Sequence, residues 1–130
     1  MADARGFEDG AAVIARNPFP EFDKILARGY AMYYHLRRIP DEGILDLSVE
    51  VRLAAHVVGS ATFSDRGRYA YCQNVGTVEA YRIQGIATAM YVFARSIFGK
   101  PLSNFWDGHG EQSADAKALW AKKGHLFRAS

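Results

Sequence analysis

At Gly85 the chain changes period. Upstream, Leu47, Val49, Val51 and Leu53 alternate with Ser48, Glu50 and Arg52, the period-two signature of a strand with one apolar and one polar face. Two more strand-like runs follow, from His56 to Phe63 and from Tyr69 to Val78, joined by the turn Ser64-Asp65-Arg66-Gly67. Links this short make antiparallel neighbours, since parallel strands need a crossover of roughly a dozen residues or more. Downstream of Gly85, Ile86, Met90, Phe93 and Ile97 recur at steps of four, three and four, the buried face of one helix that Gly99 ends. An antiparallel meander running into an amphipathic helix predicts an α/β fold: a mixed central sheet flanked by helices.

The remaining segments are read around that frame. Residues 1–10 are small and polar, and are expected to be flexible. Ala11 to Ala15 reads as a short strand. Phe22, Ile25 and Leu26 recur at helical spacing, with Gly29 placed to cap the end. Residues 30–39 fit either a strand or a second helix, because Tyr30, Met32, Tyr33 and Tyr34 satisfy both periods. Pro40-Asp41-Glu42-Gly43 makes a turn. Lys100-Pro101-Leu102 is a short extended piece, and a loop runs from Asn104 to Gln112. Ser113 can cap a last helix in which Ala116, Leu119, Trp120 and Lys123 share a face and which Gly124 closes.

Length and composition narrow the function classes. The 130 residues make a single domain, 1–130, with no internal repeat. The net charge is only +2, and the 16 basic residues are scattered, so nucleic acid is not expected as a partner. A single cysteine, Cys72, excludes an internal disulfide and suggests a cytoplasmic protein. No membrane-spanning apolar run and no signal peptide is evident.

The corner itself reads Tyr81-Arg82-Ile83-Gln84-Gly85-Ile86-Ala87-Thr88. Gly85 permits a tight turn, and a helix starting there leaves its first N–H groups and positive dipole end available to a phosphate or pyrophosphate. Placed after the third strand, Arg82-x-x-Gly85-x-Ala87 resembles the pyrophosphate loop of the GCN5-related N-acetyltransferases (the GNAT family), written Gln/Arg-x-x-Gly-x-Gly/Ala. The run from Ser113 to Gly124 is similar to that family's late helix, Asn-x-x-Ala-x-x-Leu-Tyr-x-x-x-Gly. Together the two matches cover about residues 44–124.

The resemblance implies a GNAT-like acyl-CoA N-acyltransferase fold, with acetyl-CoA as acyl donor and a small-molecule or protein amine as acceptor. Backbone of Val75, Gly76 and Thr77 would pair with the pantetheine arm at a bulge. Arg82, Ile83, Gln84, Gly85, Ile86, Ala87 and Thr88 would hold the pyrophosphate. The segment Tyr30 to Arg38 would select the acceptor. For the general base, Glu79 beside the motif and Glu50 on the polar strand face are the two candidates. Three departures accompany the match. Trp120 stands where the family's late helix carries a Tyr, and an indole N–H offers no proton at neutral pH. Ser113 replaces the usual Asn. The chain ends at Ser130, leaving little room for the family's closing hairpin; a C-terminally shortened domain, or a homodimer sharing strands, is therefore expected.

Other chemistry has less support. Asp107-Gly108-His109-Gly110-Glu111 gathers metal-capable side chains but reads as a solvated turn, so no metal is expected. His35, His56 and His125 are isolated, and Cys72 has no neighbouring base in sequence. The competing readings are a CoA-binding module that has lost transfer, and a structural interaction domain whose corner binds nothing.

Overall fold

The computed structural model describes residues 6–78, 85–103, 114–123 and 126. Six strands form one sheet in sequential order: β1 (Glu8–Asp9), β2 (Tyr30–Ile39), β3 (Ile44–Leu53), β4 (His56–Asp65), β5 (Ala70–Thr77) and β6 (Leu102–Ser103). The first five are antiparallel neighbours and β6 joins β5 in parallel, so the sheet is mixed. Helices α1 (Ala11–Arg16) and α2 (Pro20–Leu26) lie between β1 and β2. Helix α3 (Ile86–Phe98) forms the crossover from β5 to β6, and α4 (Ala114–Lys123) follows β6. No described helix is long and apolar enough to cross a membrane.

One face of the sheet builds the core. Met32 on β2, Leu47, Val49 and Val51 on β3, and Ala61 and Phe63 on β4 are all at most 4% exposed. Cross-strand register sets Met32 beside Val51 and Val49 beside Ala61, which aligns the apolar sets of neighbouring strands on that face. Helix α3 covers β3, β4 and β5 there, burying Ile86, Ala89, Met90, Val92 and Phe93. Phe22 of α2 packs edge-on against Phe93, and Val13 and Ile14 of α1 join the same core. The opposite face carries Ser48, Glu50, Arg52, Ser60, Thr62 and Asn74, as alternation along each strand requires.

Several sequence readings need correction. Ala11 to Ala15 is helical: Ala11, Ala12 and Ala15 are strong helix formers, and a single turn suffices to bury Val13 and Ile14 against α3. Within 1–10, Glu8 and Asp9 are paired as β1 opposite Tyr34 and Tyr33, and the Gly10 N–H donates to the Met32 carbonyl at 2.8 Å. Residues 30–39 resolve as a strand over their full length, giving a four-stranded meander where three strands were expected. The helix from Phe22 to Leu26, the helix after Gly85 and its end at Gly99 form as read.

Candidate functional site

The corner at the end of β5 is built by two local irregularities. The first lies within β5. Phe63 pairs with Cys72 but Thr62 pairs with Asn74, so Gln73 is an extra residue and β5 carries a bulge. Beyond the bulge, the Val78 N–H donates to the Val58 carbonyl at 2.9 Å. Backbone groups alternate sides along a strand, so Gly76 also addresses β4, while Val75 and Thr77 turn their backbone groups the other way. That other side belongs to β6 only at Ala70 and Tyr71, opposite Leu102 and Ser103. Among the described residues no strand flanks Val75 there.

The second irregularity is the start of α3. Gly85 is the residue before the helix and holds φ +81°, a left-handed conformation that glycine adopts without a steric penalty. Among the described residues no side chain caps this end, and no acidic residue stands in the first turn. Among the described residues, the first N–H groups and the positive end of this 13-residue helix meet no counter-charge from the helix's own first turn. Thr88, in that same turn, is a buried polar residue at 6% exposure.

Gly59 brings the two irregularities together. It is the register partner of Thr77 on β4, and a Cβ placed there would lie 2.7 Å from Cγ2 of Ile86. The absence of a side chain at Gly59 lets the first residue of α3 sit directly on β4, beside the end of β5. Sequence reasoning passed over Gly59, although an isolated glycine inside a strand is a usable signal of close approach.

The expected site residues divide accordingly. Val75, Gly76 and Thr77 lie on the post-bulge segment, and Gly85, Ile86, Ala87 and Thr88 form the helix start. Arg82, Ile83, Gln84 and Glu79 lie outside the described residues, as do Tyr81, Ser113, Gly124 and the segment from Asp107 to Glu111. Glu50 sits on the sheet face away from α3, in a cross-strand row that runs Tyr33, Glu50, Ser60, Gly76. With strands about 4.8 Å apart, Glu50 is about 10 Å from the Gly76 backbone. Its carboxylate is 8% exposed and accepts from the Arg52 guanidinium at 3.2 Å. Arg52 in turn lies 4.1 Å over the Tyr33 ring.

The segment Tyr30 to Arg38 does not make one pocket. Tyr30 and Met32 are core residues on the helix side, while Tyr33 faces the other way beneath Arg52. Trp120 is also a core residue, 8% exposed and edge-on to Tyr91 at 5.8 Å between ring centres. Below the bulge, the Cys72 thiol donates to the Asn74 carbonyl at 3.4 Å. Burial pushes the Cys72 thiol up to about 11, so it keeps its proton at neutral pH. Burial likewise raises the Tyr91 phenol, with the adjacent Cys72 adding to the effect. Nothing in the sequence signals this pair, since its members lie on different elements.

Comparison with family models, with curated proteins and with solved structures returns no match to this chain.

Proposed function

We propose that this protein binds acetyl-CoA at the corner between β5 and α3 and passes the acetyl group to an amine, on a fold of the GNAT type. The reading is carried by one juxtaposition: an outward-facing strand backbone at Val75, past a bulge, next to an uncapped helix start at Gly85 with no acidic residue in its first turn. The helix start suits a pyrophosphate, since its N–H groups and dipole both favour an anion. The strand backbone at Val75 and Thr77 suits an extended amide chain such as pantetheine, which can pair as an added strand. The Arg82-x-x-Gly85-x-Ala87 motif adds a sequence argument to the same place.

Acetyl-CoA, when bound, supplies an activated thioester. The chain's own contribution is orientation, a backbone N–H at Val75 or Thr77 directed at the thioester oxygen, and a carboxylate to take the amine's proton. Glu50 can serve as that carboxylate through intervening water, given the separation of about 10 Å between its strand position and Gly76. Glu79 is the alternative, by its sequence position next to the motif. No described group takes the part of the family's Tyr, because Trp120 is engaged in the core. The second reading follows from that observation: a module that binds CoA without transferring the acetyl group.

Calorimetric titration with acetyl-CoA tests the site. Wild-type protein should bind, and Gly85→Glu, which sets a carboxylate where the anion would lie, should weaken binding at least tenfold; an absence of heat from the wild type would end both readings. Thiol release across a panel of primary amines then separates them. Release that is lost in Glu50→Gln supports transfer with Glu50 as base, whereas binding without release from any amine leaves the binding module.

A further inference from the structure

We propose that a pocket at the hairpin joining β2 to β3 is a second ligand site, and that it takes a small organic acid: one carboxylate on a compact apolar body. A cavity of about 370 Å³ lies there, near the small end of the range of roughly 300–1,000 Å³ typical of ligand pockets. The cross-strand row Arg38, Leu45, Asp65 lines it, since Leu45 pairs with Arg38 on one side and Asp65 on the other. Asp65 is six residues along β4 from Gly59, which seats α3 at the corner, a separation of about 20 Å at 3.3 Å per residue. The pocket is thus separate from the Gly85 corner, and the proposal does not rest on the acetyl-CoA reading.

The apolar wall continues the core face beyond its last fully buried row. Leu45 shares a face of β3 with Leu47, yet Leu47 is fully buried and Leu45 only half-buried. Ile39 and Ile44, the last pair of the hairpin, are also half-buried, and Pro40 adds its ring. Two glycines keep the space clear. Gly43 and Gly67 hold φ +66° and +88°, and a Cβ added at either would meet nothing within 4 Å. The left-handed turns that require glycine here also leave the volume unfilled.

The charges select the head group. Asp65 is already engaged, its Oδ1 accepting from the Lys100 ammonium at 3.0 Å and from the Gly67 N–H at 2.9 Å. Arg38 is exposed and, among the described residues, makes no ion pair. Lys100 and Arg38 together disfavour a cation. A carboxylate instead meets a guanidinium whose paired N–H donors match its two oxygens. A phosphate monoester fits less well, because its charge of about −2 would face one unpaired cation and the Asp65 carboxylate. One negative charge on an apolar body matches both the guanidinium and the wall.

Amide NMR of the full chain, titrated with isocaproate at millimolar concentration, tests the pocket. Saturable shifts are expected, confined to amides around Arg38, Leu45 and Gly67. Isocaproamide, the neutral isostere, should bind at least about threefold more weakly, the scale of one solvent-exposed ion pair. Acetate, which has the head group without the body, should bind at least about tenfold more weakly than isocaproate. Arg38→Gln should lower the affinity for isocaproate to that for isocaproamide and leave isocaproamide unchanged. The absence of saturable shifts with isocaproate overturns the proposal. So does acetate binding as tightly as isocaproate, which is what an anion resting on a surface arginine produces, and so does full isocaproate affinity in Arg38→Gln. N-acetyl-glycyl-leucine presents a similar apolar carboxylate at the end of a peptide. Binding of it at or below the affinity for isocaproate supports a free acid, whereas binding more than about tenfold tighter overturns that reading in favour of a protein C-terminus.

Discussion

Gly59 has no room for a methyl group. Its added Cβ would fall 2.7 Å from a branch carbon of Ile86, which cannot swing away as the tip of a long side chain can. Gly59→Ala should therefore cost about 1–3 kcal/mol through overpacking. Gly76→Ala on the neighbouring strand, where an added Cβ meets nothing within 4 Å, should be close to neutral. Urea denaturation of the two variants checks the contrast, and equal losses would mean that α3 is not seated on Gly59. Cys72 gives a second test at this scale. Its thiol is raised from an ordinary 9.0 to about 11, chiefly by burial, so the folded chain holds that proton more tightly than the unfolded chain does. Stability from this source is intact below about pH 9 and falls as the pH climbs through about 11. Tyr91, raised in the same direction, steepens the fall. Thermal melts across that alkaline range should show a shallower decline in Cys72→Ala than in wild type; identical slopes would show that folding does not raise the thiol's pKa.

At the scale of elements, legibility followed the strength of each periodic pattern. Strand β3 and helix α3 are unmistakable because each buries one face against many partners, which makes the pattern long and regular. Strand β2 was ambiguous because Tyr30, Met32 and Tyr34 alternate while Tyr30, Tyr33 and Tyr34 also fit a helix; pairing with β3 along all ten residues settled it. Helix α1 was misread because five apolar residues carry too short a pattern to separate the two periods. The site was half legible. A left-handed glycine before a helix leaves a trace in sequence, whereas Glu50's partner Arg52, the Gly59 contact and the Cys72–Tyr91 pair depend on register and packing. The crossover end is held by an interaction of the same non-local kind. The Lys100 ammonium donates to Asp65 Oδ1 at 3.0 Å and to the Gly67 carbonyl at 3.1 Å, tying β6 to the turn after β4. With the Lys100 side chain one-third exposed, Lys100→Met should cost only about 0.5–1 kcal/mol, and less at high salt. Denaturant titration at two ionic strengths reads this directly.

At the scale of the whole molecule, the helical layer and the polar face divide the work. The core side, built from α1, α2, α3 and the inner faces of β2 to β5, fixes where the helix start meets the strand end. The polar side carries Arg52 and, within a cross-strand row that reaches Gly76, Glu50. Acetyl-CoA held at the corner between them should leave a local mark in hydrogen exchange. The amide of Val75, which faces away from β4, and those of Ile86, Ala87 and Thr88, which precede the first amide bonded within the helix, that of Ala89 to the Gly85 carbonyl, should exchange more slowly once bound. Amides of β2 and β3 should change only by the general gain in stability, about 2.7 kcal/mol at a hundredfold excess of ligand over its dissociation constant. Sub-saturating ligand separates the two effects, because the global term shrinks while direct contacts persist in the bound fraction. Protection confined to Ile86 to Thr88 would mean that an anion sits at the helix without a chain along the strand, and uniform protection would place the ligand elsewhere. Only joint protection at Val75 and the helix start fits one ligand that spans the bulge and the Gly85 corner.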